Sequence, residues 1–282
     1  MAGVASVHIV ENALKKHAGD DALQLADDII RDIDREINVR IEDMQAYASD
    51  LLLAKEVVRS NQAFDKTPGI RDFIKKTDED WKSKKKTPFI QGVLNNELSG
   101  ELVRYLDFYR QKYEYAPFTE IYVTNRHGVV IASTGRTSDY LQADERWHQE
   151  AVKERGFWLG GVEYDESSGA VSVDIVINIY DGKGAFAGIL KGVLNIEAIR
   201  SIIDLARSRS KYESMAPRLV DKNGLVIFSG LDPDLKKLGK DIRLEEFGED
   251  VSRLEGVAGV LGGKRGFIFT SEGGDEILRA FS

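Results

Sequence analysis

The sequence contains no cysteine, and only five prolines and four histidines among 282 residues. Missing thiols exclude disulfide frameworks, thiol catalysis and cysteine-built zinc sites together. They leave the redox compartment open, because a chain without thiols is stable on either side of a membrane. No stretch approaches the roughly 18 apolar residues that a membrane-spanning helix needs. The opening ten residues are too weakly apolar for a secretory signal. Lys and Arg number 39 against 47 Asp and Glu, a net charge of −8, so there is no broad basic face for phosphates. General nucleic-acid binding is excluded on that ground. What remains is an ordinary globular composition, 42% hydrophobic and 30% charged, long enough for one large domain or two small ones.

The first 60 residues carry a long helical signal. Leu25, Ile29, Ile33, Ile37, Ile41, Met44, Ala48 and Leu51 step by three or four, with charged residues between them. Asp20 to Ser60 holds neither proline nor glycine. One helix over residues 1–60 is the expectation, a stalk of which only one stripe is apolar. Residues 61–92 read as short helical pieces around Thr67-Pro68-Gly69 and Thr87-Pro88, and the Lys82–Lys86 basic run reads as a solvated loop. A further helix is expected over 95–113, ended by Pro117.

From Phe118 the period changes to two. Strands are expected over 121–123 and 129–131 as a hairpin, then over 157–165, 170–180 and 185–195, with a helical patch at 144–154 before the last three. Turns are expected at Ser167-Ser168-Gly169 and at 181–184, and helix resumes from Asn195 to Ala206. An internal repeat organises this half. Val123–Ser133 (VTNRHGVVIAS) matches Leu219–Ser229 (LVDKNGLVIFS), with Gly128 facing Gly224 and Asn125 facing Asp221. The second copy continues with strands at 265–270 and 276–281, one fewer than the first, and so reads as cut short before its last strand.

These features resemble the double Cache sensor domain, a PAS-like extracytoplasmic module of prokaryotic membrane receptors such as histidine kinases and chemoreceptors. The resemblance rests on the long first helix, the duplicated hairpins, the patch Asp144-Glu145-Arg146-Trp147-His148-Gln149-Glu150-Ala151 and the strand Gly188–Ile196. It implies an α+β fold: a long N-terminal helix followed by two tandem antiparallel-sheet modules. Residues 1–60 would be the stalk, 61–196 the membrane-distal ligand-binding module, 197–212 a linker helix and 213–282 the membrane-proximal module. The parent would be a homodimeric receptor in a prokaryotic cell membrane, with this domain outside the cytoplasm. No enzymatic activity, cofactor, metal or nucleic-acid partner is expected.

The resemblance also places a small-molecule ligand between the sheet and the segment bearing Trp147 and His148. Tyr140, Arg146, Glu163, Asp165, Asp174 and Asn195 complete the expected site. Amino-acid-binding members carry an Arg two residues before the Trp and a Tyr and an Asp sixteen and eighteen after it. Here those positions are Glu145, Glu163 and Asp165, so only the Asp matches, and amino-acid recognition is not carried over. Asn195 stands where an acid is expected on the last strand. Carboxylates with aromatic walls favour an amine or a donor-rich metabolite. A carboxylate ligand becomes the expectation if Arg146 turns inward. Two other classes compete: a structural spacer, and a hydrolase using Glu163 with Asp165 as acid and base.

Overall fold

The computed structural model describes residues 2–113, 116–165, 170–195, 197–211, 216–229, 247–272 and 275–282. Two compact units partition the chain. One comprises residues 37–198, the other residues 1–36 with 199–282. The first helix, α1 (Ala2–Ala48), contributes to both.

The apolar stripe forms this helix as expected, but it does not run on to residue 60. Asp50 has an extended backbone, and its carboxylate accepts from the amides of Leu52 and Leu53 at 2.7 and 3.2 Å. That is an N-cap, which starts a new helix, α2 (Leu51–Asp65). The absence of glycine and proline hid the break, because a short carboxylate can end one helix by opening the next. Then come α3 (Ile70–Lys82) and α4 (Pro88–Leu94), the latter capped by the Thr87 hydroxyl with proline at its first position. Lys82 closes α3 in ion pairs with Asp78 and Asp139, and residues 83–86 follow as the expected exposed loop. Helix α5 covers Glu97–Tyr113.

In the 37–198 unit these helices meet a five-stranded antiparallel sheet. Its strands are β1 (Phe118–Asn125), β2 (Val130–Ser133), β3 (Phe157–Asp165), β4 (Ala170–Tyr180) and β5 (Phe186–Asn195), in the order β2-β1-β5-β4-β3. The strand bounds lie within a few residues of those read from the sequence. The expected turn at 167–169 falls outside the described residues. One face packs Ile121, Val123, Val173, Ile175, Ile177 and Leu190 against Ile41 and Met44 of α1 and against α2 and α5. Glycine in β5 makes this contact close: a Cβ at Gly192 would lie 2.8 Å from Met44 Cε. The opposite face is covered by α3, α4 and the short helix α6 (Arg146–Ala151).

The other unit holds all but the first two residues of α7 (Glu197–Arg209), hairpin β6 (Arg218–Val220) with β7 (Val226–Ser229), α8 (Val257–Leu261), and hairpin β8 (Gly266–Glu272) with β9 (Asp275–Phe281). The first turns of α1 pack here: Gly19 leaves room for the Phe267 ring, and Lys15 pairs with Glu276 at 2.8 Å.

The repeat is real at atomic detail. Asn125 and Asp221 each accept the amide two residues on through the side chain, at 2.9 and 2.8 Å. Gly128 and Gly224 donate to their backbone carbonyls at 2.9 and 3.0 Å. Both glycines have positive φ, 71° and 82°. A Cβ there would lie 2.5 Å from Ala143 Cβ and 2.7 Å from Ser252 Cβ respectively. Both left-handed strain and overlap therefore oppose a side chain. Gly128→Ala and Gly224→Ala should each destabilise the protein by about 2 kcal/mol or more. Urea unfolding would check this, and a loss at only one position would contradict structural equivalence of the two turns.

Candidate functional site

Strand register builds the site on the sheet face opposite Met44. Cross-strand partners point to one side, and Tyr122 pairs with Lys191, Lys191 with Val176, and Val176 with Trp158. One rung thus crosses four strands and carries a lysine near its middle. Asp174 lies two residues from Val176 on the same face, and its carboxylate meets Lys191 Nζ at 2.6 Å. Helix α6 brings Trp147 over this pair, with Lys191 Nζ 4.2 Å from the centroid of the Trp147 ring and 5.8 Å from that of Tyr122. Lys191 is only 7% exposed. A cation so placed is held by one carboxylate and two aromatic faces.

The surroundings are acidic. Burial, then the charges of Glu120, Asp174, Glu145 and Asp139, push the Tyr122 phenol well above its ordinary value. Its hydroxyl donates to Gln142 Oε1 at 3.1 Å. Burial, with Asp139 and Asp144 nearby, raises the Glu145 carboxyl, while Lys191 and Lys82 pull it back.

The expected site residues are not all gathered here. Trp147 and Asp174 are. His148 is buried edge-on to Trp147, its Nε2 without a hydrogen-bond partner among the described residues. Tyr140 belongs to the apolar cluster against which Trp147 packs, between Trp81 and Phe89. Arg146 turns outward, its side chain 90% exposed and paired with Glu150 at 2.7 Å. Glu163 is exposed on the edge strand β3, opposite Ser172. Only the backbone of Asp165 is described, opposite Ala170. Asn195 ends β5 and donates to the Ala116 carbonyl at 3.3 Å. Asp174, expected as an unpaired carboxylate, has its partner in Lys191. Lys191, Tyr122 and Glu145, which were not among the expected residues, complete this cluster. A lone lysine inside the apolar run Gly188–Leu194 was the available signal. Among the described residues, no group of three His, Asp or Glu could hold a metal ion.

Two recesses open elsewhere on this unit. One, of about 490 Å³, lies among α2, α4, α5 and β2. The other, of about 680 Å³, lies between α2 and the β4–β5 turn. Neither is lined by Trp147 or Lys191.

Two outcomes test this geometry. Asp174→Ala strands a buried ammonium and should cost about 2–4 kcal/mol, whereas replacing both partners (Lys191→Met with Asp174→Leu) should recover most of that loss. Urea unfolding of the double-mutant cycle would measure the coupling. His148 generates the second outcome, because burial lowers its imidazole from 6.5 to about 4. Above pH 6.5 the ring is neutral in both states and the native state is uncompromised. Between about 6.5 and 4 only the unfolded chain binds the proton, so stability falls by about 3 kcal/mol and then levels off. His148→Phe should flatten that part of the stability–pH curve, and an unchanged slope would contradict the burial argument.

A model of the Cache domain family matches residues 10–281. No curated protein matches the sequence. Among solved structures, the chain is similar to the ligand-binding domain of the Pseudomonas aeruginosa PAO1 amino acid chemoreceptor PctB in complex with L-Arg. Identity is 14% and the TM-score 0.49, covering 95% of this chain and 88% of that one. The sensor domain of the V. cholerae histidine kinase DctB shows 11% identity and a TM-score of 0.46, over 77% and 67%. An extracellular ligand binding receptor from Desulfohalobium retbaense shows 12% and 0.46, over 80% of this chain but only 36% of that receptor. The chain therefore spans little more than a third of that receptor's length. With the family model covering both copies of the duplicated hairpin, the long first helix and the Trp147 helix, this chain belongs to the Cache domain family of sensor domains.

Proposed function

We propose that the chain is the extracytoplasmic sensing part of a prokaryotic membrane receptor. In this reading it binds a small polar metabolite where α6 covers the sheet of the 37–198 unit. The observation that carries this reading is the buried Lys191–Asp174 pair under the Trp147 ring. A sheet that only needed a core would fill this rung with apolar side chains, which pack at no desolvation cost.

The charges favour the ligand's class. Glu120, Asp139, Glu145 and Asp174 all act on Tyr122, and Lys191 and Lys82 are the cations acting on Glu145. Asp174 and Asp139 are already paired with Lys191 and Lys82, and Glu145 beside them gives an amine or a donor-rich metabolite a carboxyl to meet. Lys191 has three N–H donors and one carboxylate partner, so an oxygen on the ligand can accept from it. Arg146 faces away, which removes the argument for a simple carboxylate.

A relay follows from the packing. Lys191 already lies against the Trp147 ring, so a ligand entering between them must lift α6 or shift β5. The next residue, Gly192, touches Met44 of α1 through the sheet. A ligand that prefers the shifted arrangement moves α1, and only to the extent of that preference. In the full-length receptor, a homodimer, α1 would carry the change toward the membrane.

A thermal-shift screen of amines, polyols and carboxylates tests the reading. A ligand at 100 times its Kd stabilises by about 2.7 kcal/mol, a shift readily seen. Trp147→Ala should abolish the response, and spin labels on α1 and the sheet should report a displacement of about 1–2 Å. Hits confined to dicarboxylates and untouched by Trp147→Ala would refute both the charge argument and the site.

A further inference from the structure

Strand β4 has an apolar row, Val173, Ile175, Ile177 and Ile179, packed toward the α1 side of the sheet. Its other row, Asp174, Val176 and Asn178, faces α6. Asp174 is there for Lys191. Asn178 needs its own explanation, because asparagine is disfavoured inside strands and costly to bury, yet it is only 6% exposed. Its side-chain nitrogen donates to the Ala151 carbonyl at 2.9 Å and to the Glu154 carbonyl at 2.8 Å. Its backbone amide donates to the Gly156 carbonyl at 3.0 Å. Both side-chain partners are acceptors, so the nitrogen must be the atom that faces them. Ala151 is the last residue of α6, where helix carbonyls lack partners further along the helix. Asn178 thus ties the end of α6, and the loop after it, to the sheet.

The two ends of α6 are held unequally. The segment leading into it is fixed several times over. Asp78 of α3 accepts the amides of Tyr140 and Leu141 at 3.0 and 3.1 Å, and the Trp81 indole donates to the Thr137 carbonyl at 2.8 Å. Gln142 donates to the Asp139 carbonyl at 2.7 Å and accepts from the Tyr122 hydroxyl at 3.1 Å. Past α6, residues 152–155 are exposed. Among the described residues, side-chain hydrogen bonds from the sheet to 151–156 come from Asn178 and, at a long 3.4 Å, from the Tyr180 hydroxyl accepting the Gly156 amide. Apolar packing of α6 on the sheet rests on Ala151 and Trp147 against Val176 and Ile189.

We propose that Asn178 is the positioning residue of the site beneath Trp147. It holds the C-terminal end of α6 on the sheet, and its release lets the helix lift about Glu145 and uncovers Lys191. The assignment rests on the reading that α6 covers the ligand's place. Glu145 is the joint because the clamped segment ends there and its side chain makes no capping bond to the helix. Strand β4 then carries both the counter-charge of Lys191 and the tie of its cover, two residues either side of Val176.

Acylation of Lys191 by N-hydroxysuccinimidyl acetate, read by mass spectrometry, tests this on the whole chain without any metabolite, with exposed Lys75 as internal reference. Lys191 should react at least tenfold faster in Asn178→Leu than in the unaltered chain, while Lys75 is unchanged. Asn178→Asp keeps the shape, turns an acceptor toward the two carbonyls and should act alike. Hydrogen exchange should quicken at residues 147–156 and stay as it was at 137–142 and in β5. Should Asn178→Leu disturb the whole chain, Asn178→Asp decides. Unchanged Lys191 acylation in Asn178→Asp overturns the proposal. So does exchange that rises uniformly along that variant, since Asn178 is then an ordinary core residue. A metabolite screen without hits would leave the labelling result standing, and unchanged labelling would leave the screen's result standing.

Discussion

Everything in the 37–198 unit is arranged around strand β5, which lies between β1 and β4 and is buried on both faces. Its two faces obey different rules. Toward the helices, Gly188 and Gly192 bring the backbone close. A side chain at Gly188 would strike the Thr124 carbonyl and lie 2.8 Å from Val57, and one at Gly192 would reach Met44 and Phe118. Helices α1 and α2 can approach the sheet because those two positions have no Cβ. Toward the other side, the same strand presents Ile189 and Lys191, and Lys191 is the residue to which Asp174, Trp147 and Tyr122 converge. A single strand thereby fixes both the distance of α1 and the charge of the site.

A buried ion pair is weak evidence for stability, since removing two charges from water costs about as much as their attraction returns. The Lys191–Asp174 pair fits that rule only with its aromatic neighbours included. Trp147 supplies a ring face where water would have stood, which keeps the ammonium solvated by π-electron density and one carboxylate. The pair therefore depends on α6 being in place, and α6 is a helix of six residues whose N-cap, Glu145, makes no side-chain capping bond. Short, imperfectly capped elements are drawn from the less stable end of a structure. The helix that covers the ion pair is thus the least self-sufficient element around it.

The fold was legible in the sequence where one physical signal dominates. Strand β4 alternates, β5 is an apolar run buried on both faces, and turn residues bound them; the limits of β3, β4 and β5 emerge within a residue or two of the structure. The Asn125 and Asp221 turns were legible because the φ of Gly128 and Gly224 admits little else. The helix break at Asp50 was not, because capping is decided by one carboxylate whose alternative, continued helix, differs by only about 1 kcal/mol. The cluster around Lys191 was half legible. Trp147 and Asp174 stand out as a large aromatic and a charge in apolar surroundings, and Lys191 carries the same signal in β5. What periodicity cannot supply is pairing: Asp174 and Lys191 meet only because β4 and β5 are in a register that sets Asp174 opposite Val193. Arg146 shows the converse. One residue from Trp147 on a helix, it points about 100° away, and a short helix gives it Glu150 at i+4 to bond instead.

The duplicated hairpin sharpens what separates the two copies. Each turn is braced by a following segment: the Gln142 amide donates to the Gly128 carbonyl at 2.7 Å, and the Val251 amide to the Gly224 carbonyl at 2.9 Å. In the first copy the braced segment leads directly into Glu145, Trp147 and His148, and so delivers an aromatic lid to the sheet. In the second it leads through Ser252 and Leu254 to α8, which contributes Val257, Ala258 and Val260 and no aromatic or charged side chain. The same backbone device thus positions a polar, aromatic element in one copy and a small apolar one in the other. The difference in chemistry between the copies therefore lies in α6 against α8, while the turn is fixed in both by backbone geometry.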